Sequence, residues 1–225
     1  MRIAAIGICV TLALDIGAAI AIARADHRGA DQAVRHSVLF ADAVAAFSAS
    51  SSVRIRGTTS VGGSSVALDV VAAQGRGGGT VSIGPVGFQV VLSGNDLYLK
   101  ANPPAWRQLG YGPDADRLGG RWVRASAEGR QFSVFARVLT VGFFSSLMAA
   151  APNLREGAPK SINGVTAIPF APTNRDGVTF YVQGTVVAER DASGLVTFGE
   201  YDTAQPPPVP TGAIDLGAAS ASQTQ

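Results

Sequence analysis

The chain has 225 residues, of which 47% are hydrophobic, 7% aromatic and 15% charged, and its formal net charge is +2. This length predicts one domain, and a chain so apolar and so poor in charge is not a disordered one. The balanced charge, without a basic block, argues against a nucleic-acid partner. A polytopic membrane protein is disfavoured because only the N-terminal stretch approaches a spanning length.

The first 25 residues are predicted to be a secretory signal. Residues 3–23 are almost wholly apolar, and Ala23-Arg24-Ala25 has the small-x-small form of a signal-peptidase site. An uncleaved membrane anchor is the alternative, because the apolar run is long enough to span a bilayer. In either case we expect an exported protein that resides in the cell envelope or outside the cell.

The rest of the chain divides into a polar linker at 26–35, a domain over 36–217 and a disordered tail at 218–225. Apolar residues at helical spacing predict a first helix over 36–49. The apolar period then changes to two, and tight turns such as Gly84-Pro85 and Gly94-Asn95 follow, which together predict an antiparallel meander. Its strands are predicted at 53–56, 66–71, 81–83, 88–92 and 97–99.

A second main helix is predicted over 131–150, after a broken helical segment and a short strand. Its second half is apolar nearly all round, so we expect it to be buried on both sides or to line an apolar cavity. Four more strands are predicted at 165–170, 178–182, 186–190 and 195–201. The predicted fold class is α+β, with a single curved antiparallel sheet of about ten strands, a half-open barrel, wrapped over two main helices.

No catalytic site, no cofactor and no metal site is predicted. The single cysteine, Cys9, and both histidines, His27 and His36, fall within the first 36 residues, which excludes a Cys/His metal cluster. The sequence has no nucleophile elbow, dinucleotide fingerprint or Walker sequence. Paired carboxylates such as Glu189 and Asp191 flank turns, and we interpret them as solvated rather than as acid–base pairs. The sequence therefore favours binding over catalysis.

Two phrases carry a family resemblance: Gly94-Asn95-Asp96-Leu97-Tyr98-Leu99-Lys100 and, after Trp106, Leu118-Gly119-Gly120-Arg121-Trp122-Val123. Together with Phe198-Gly199-Glu200-Tyr201 before a proline-rich end, they resemble the actinobacterial LppX/LprG-type envelope lipoproteins. The resemblance covers about 40–216 and implies a LolA-like fold with an apolar cavity between sheet and helices. It also implies a carrier that binds a lipid or glycolipid and moves it within the cell envelope. The lipidation cysteine usual at the mature N-terminus of that family is absent.

Mapped onto this chain, the resemblance implies a cavity lined by one face of the strands and by the second helix. The expected lining residues are Val66, Leu68, Val70, Val81, Ile83, Phe88, Val90, Leu92, Phe132, Phe135, Leu139 and Phe143. The expected partners are the lipid or glycolipid itself, a membrane surface and a membrane transporter.

Alternatives to the carrier remain open, because the same apolar residues would also make an ordinary core. The chain would then be an extracytoplasmic interaction or sensor domain of the same fold. A LolA-like chaperone for acylated proteins is a further alternative. The volume between the second helix and the sheet is the observation that separates a cavity from a packed core.

Overall fold

The computed structural model describes residues 27–61, 64–129, 131–151, 153–173 and 177–216, with the side chains of 27–37 and 61 excepted. The predicted signal or anchor at 1–25 and the predicted tail at 218–225 lie outside the described residues. None of the described helices combines the length and hydropathy needed to cross a bilayer.

The chain opens with one long helix and a meander of hairpins. Helix α1 spans His27–Ala49, and the meander comprises β1 (Ser52–Val61), β2 (Ser64–Ala73), β3 (Arg76–Ile83), β4 (Val86–Ser93) and β5 (Asp96–Ala101). Short helical pieces follow, which are α2 (Pro103–Gln108), a 3₁₀ turn (Gly112–Asp114) and α3 (Ala115–Leu118). Strand β6 (Trp122–Ser126) then leads into α4 (Ser133–Arg137) and α5 (Val141–Ala149).

The second half of the chain is made of strands. They are β7 (Leu154–Glu156), β8 (Lys160–Ile162), β9 (Val165–Pro172), β10 (Thr179–Gln183), β11 (Thr185–Arg190), β12 (Leu195–Gly199) and β13 (Ile214–Asp215). The described strands form one sheet in the order β13-β6-β5-β4-β3-β2-β1-β12-β11-β10-β9-β7, with β8 also paired to β9. Strand β13 runs parallel to β6, and the other described pairs are antiparallel.

The predicted fold class is confirmed: the chain is α+β, with a large, curved and mostly antiparallel sheet that stays open. The first helix begins at His27, earlier than predicted, and it takes in most of the segment interpreted as a linker. The prediction of one long second helix is wrong, since that stretch forms two short helices, α4 and α5.

The break between α4 and α5 is caused by a contact with the sheet. Leu139 lies between the two helices, and its carbonyl accepts a hydrogen bond from the amide of Ala73 at 3.3 Å. Thr140 is extended, with φ −122° and ψ 137°. The break shifts the helical phase, so α5 buries Phe144 and Met148 whereas Phe143 is only half-buried.

The segment 203–213 crosses the outside of the sheet, and we call it the strap. The strap connects β12, which neighbours β1 in the sheet, to β13, which pairs with β6 beyond β5. It therefore passes across strands β1 to β5. A Cβ at Gly78 would lie 2.9 Å from Cδ of Pro207, so the strap presses directly on β3. Beneath it, Val71 and Val91 are 2% and 3% exposed although they flank Gly78 on the outer face. The strap therefore closes a second, smaller apolar layer.

Candidate functional site: the apolar inner face

The sheet presents a continuous apolar surface to the helices, which we call the inner face. Cross-strand partners share a face, so the register groups its residues into rows. One row crosses eight strands and consists of Phe198, Ile55, Val70, Gly79, Val90, Leu99, Val123 and Ile214. Helix α1 and the short helices α4 and α5 cover this face, and the short ones are held by packing rather than by their own propensity.

The structure brings the expected lining residues together in one hydrophobic cluster on this face. Nine of them are buried: Leu68, Val70, Val81, Phe88, Val90, Leu92, Phe132, Phe135 and Leu139. The other three, Val66, Ile83 and Phe143, are half-buried against the same cluster. Phe88 and Phe135 join the sheet to α4, with ring centroids 5.0 Å apart.

The middle of this cluster is filled. Val70, Val90 and Leu139 have 0% exposure, so no space large enough for a water molecule touches them. Interiors of proteins are normally packed in this way. In the described conformation the inner face is therefore a core rather than a cavity at its centre.

Burial falls toward the end of the sheet that carries the β1–β2 and β3–β4 turns, and we call this the open end. Along β2 toward this end, the exposed fraction of the inner-face side chains rises from 0% at Val70 to 7% at Leu68. The next inner-face residue, Val66, is half-buried. Ile83, opposite Val66, is also half-buried. The inner face thus reaches solvent through a row of aliphatic side chains at this end.

A concavity of about 340 Å³ lies away from the inner-face cluster, between β7, β9 and β10. Tyr181 and Pro169, which line it, alternate along their strands with Phe180 and Phe170 of the inner-face cluster. It therefore opens on the outer face, and none of the expected lining residues borders it.

An acidic side chain, Glu189, lies on the inner face close to the open end. Its cross-strand partners are Phe180 and Val196, both members of the inner-face cluster. The residue is half-buried among these apolar neighbours, and among the described residues its carboxyl group has no hydrogen bond or ion pair. Burial, and then the charge of Asp191, raise the pKa of Glu189 to about 7. This carboxylate, which the sequence predicts to be solvated, is therefore only partly so.

A β-bulge explains why the sequence pattern missed Glu189. The register shifts between Tyr181 and Val182, so that Tyr181 pairs with Ala188 while Val182 pairs with Val186. Val187 is the extra residue, and an extra residue exchanges the two faces of the strand beyond it. Simple alternation from Val186 would put Ala188 inside and Glu189 outside.

Asp191 holds the turn beside Glu189 through four hydrogen bonds. Its Oδ1 accepts from the backbone and hydroxyl of Ser193 at 2.7 and 2.6 Å and from the amide of Gly194 at 2.8 Å. Its Oδ2 accepts from Oγ1 of Thr59 at 2.8 Å, which ties the turn to β1. Burial raises the pKa of Asp191, but these hydrogen bonds outweigh it, and the net pKa is lowered.

Replacing Asp191 with alanine is expected to lower the free energy of unfolding by about 1–3 kcal/mol, because several donors lose their acceptor. The wild-type pKa is lowered by folding, so this advantage is present at neutral pH and is lost as the pH falls through the folded pKa. Chemical denaturation of both proteins along a pH series measures it. Asp116→Ala, at an exposed ion pair with Arg107, is the control with little expected change. Equal losses in the two variants would contradict the role given to Asp191.

The chain has a LolA-like fold, an open and mostly antiparallel sheet with an apolar inner face covered by helices. Among solved structures, the chain is similar to LprF from Mycobacterium bovis, with a TM-score of 0.55 and 13% sequence identity. The match covers 80% of this chain and 98% of LprF, and at this identity it shows the shared fold. No protein-family model matches the chain, and no curated protein matches it in sequence.

Proposed function

We propose that the protein is a non-enzymatic carrier that binds a lipid or glycolipid on the inner face and moves it within the cell envelope. The supporting observation is the graded burial of that face, which is fully packed at Val70 and Val90 but only half-buried at Val66 and Ile83. An acyl chain would enter at the open end and displace the helices that cover the sheet. The LprF-like fold and the apolar segment at 3–23 are consistent with this role at a membrane surface.

The energetics of such exchange are balanced. A lipid chain of about sixteen carbons gains ~12 kcal/mol on burial, at about 0.8 kcal/mol per CH₂. A membrane offers a similar gain, so transfer between protein and bilayer has a small net free energy. The helices that must move are short, since α4 has 5 residues and α5 has 9. Their displacement exchanges contacts with other side chains for contacts with the ligand.

Organic extraction of the purified protein followed by mass spectrometry is expected to release a lipid. A variant pair on β2 tests where it binds: Val66→Asp puts a charge on the inner face at the open end, and Ala67→Asp puts one on the outer face. We expect Val66→Asp to lose most of the bound lipid and Ala67→Asp to retain it, with thermal melts showing that both variants fold. Absence of lipid from the wild type, or equal loss in both variants, contradicts the proposal.

The filled centre of the inner face favours a second candidate, an extracytoplasmic interaction or sensor domain that carries no lipid. Residues of 0% exposure, such as Val70, Val90 and Leu139, are what a permanent core requires. This candidate predicts that neither lipid extracts nor added alkyl chains change the amide exchange of β2–β4. A carrier instead predicts slower exchange of these amides when ligand is bound.

A further inference from the structure

The unpaired carboxyl of Glu189 requires an explanation. Buried polar groups in proteins are normally hydrogen-bonded, and a buried charge without a partner is costly. The described residues give Glu189 no donor. Asp191 stands nearby and increases the negative potential at this point.

Among the side chains that the structure describes, none around Glu189 supplies a positive charge. The strand before it, β10, contributes Phe180, Val178 lies just before that strand, and β12 contributes Val196. Strand β1 contributes Thr58 and Thr59, and Asp191 is the other ionisable group among these described neighbours. On α1, Phe40 packs on Phe180, with ring centroids 5.4 Å apart. Arg190 follows Glu189 directly, so its side chain leaves from the opposite face of the strand.

A small void adjoins the two carboxyl groups. It has a volume of about 10 Å³ and is bordered by Thr58, Thr59, Glu189 and Asp191 on its polar side and by Val178 and Val196 on its apolar side. That volume is about what a single water-sized group occupies. An ammonium group has this size, and it has three N–H donors to offer to carboxylate and hydroxyl oxygens.

We propose that Glu189 and Asp191 bind the ammonium group of an amine-headed amphiphile whose apolar tail lies on the inner face. The inference rests on the proposed function, because the tail occupies the same surface as the lipid. The amine donates hydrogen bonds to the carboxylate of Glu189, and a charge-assisted bond is strong where water is excluded. The position of Glu189, on the row that leads into the apolar cluster, allows head and tail to bind together.

Three probes with the same twelve-carbon tail test the inference: dodecylammonium, dodecanol and dodecanoate, each below its micellar concentration. At about pH 8 we expect dodecylammonium to bind about tenfold or more tighter than dodecanol, and dodecanoate to bind more weakly than dodecanol. Glu189→Gln should abolish the preference, so that the variant binds dodecylammonium no more tightly than dodecanol. Glu128→Gln, at an exposed position whose Oε1 accepts from Asn95, is the matched control and should keep the preference.

The pH gives a second readout. Because the pKa of Glu189 is raised, the preference for the ammonium probe should shrink toward about pH 5.5, where the carboxyl is protonated. Equal binding of all three probes to the wild type, or a preference that survives in Glu189→Gln, overturns this inference alone. Failure of every probe to bind overturns the proposed function as well.

Discussion

Glu189→Gln is expected to be more stable than the wild type at about pH 8, by about 3 kcal/mol in the free energy of unfolding, at about 1.4 kcal/mol per pKa unit. The pKa of this carboxyl rises from 4.5 to about 7 on folding. The folded protein therefore binds more protons than the unfolded chain between these values, and wild-type stability falls as the pH rises through that window. The amide of the variant does not titrate, so the advantage of the variant disappears below about pH 4.5.

Urea denaturation of both proteins across this pH range measures the difference directly. Other groups also make stability depend on pH; hydrogen bonds from Ser51, for example, lower the pKa of Asp202. Comparing the variant with the wild type at each pH cancels the contributions of such groups. Glu128→Gln is the control, since an exposed substitution is expected to change stability by less than about 0.5 kcal/mol. Parallel profiles for the wild type and Glu189→Gln would show that Glu189 is not buried as described.

Gly77→Ala is expected to destabilise the protein by about 2–3 kcal/mol, through overpacking at the point where the α4–α5 break meets the sheet. A Cβ at Gly77 would lie 2.3 Å from the carbonyl oxygen of Leu139 and 2.8 Å from the carbonyl oxygen of Val71. Both are backbone atoms, so no side-chain rotation relieves the contact. The break must move away from β3, and the hydrogen bond from Ala73 to Leu139 should lengthen or be lost.

Two measurements follow the Gly77→Ala change. The denaturation midpoint reports the loss of stability, and hydrogen exchange at the Ala73 amide reports the contact itself, which should open more often. Gly87→Ala is the matched control on β4, because there the nearest atom to a new Cβ is Oγ of Ser82 at 3.5 Å, an ordinary contact. If exchange at the Ala73 amide were unchanged in Gly77→Ala, the contact between Leu139 and β3 would not depend on the absence of a side chain at Gly77.

The strands of the meander were predictable because each has one buried face. Alternation in Val66, Leu68 and Val70 corresponds to the observed inner face of β2, and the tight turns at Gly84 and Gly94 adopt the positive φ values that such turns require. The strands β7 and β8 were missed because three residues each are too few to show a period. Their pairing is decided by β9 rather than by their own sequence.

The features that distinguish the site depend on contacts distant in sequence. The helix break at Leu139 comes from Ala73 and Gly77, which the helical spacing of 131–150 does not reveal. Glu189 is turned inward by one extra residue in β11, and Val187 has nothing in its sequence that marks it as a bulge. Whether the inner face is packed or hollow was likewise not predictable from the sequence, since the same aliphatic residues make either a cavity lining or a core.

The strand order has a consequence for how the molecule folds. Strands β1 to β6 come from one stretch of chain, and β1 to β5 pair through successive hairpins, so their contacts close short loops. The seam between β1 and β12 instead joins residues far apart in the chain, such as Arg54 and Gly199. Loop-closure entropy makes such a pairing slow compared with local hairpins. The seam should therefore limit the refolding rate, and until it forms the meander exposes the edge of β1 to other chains.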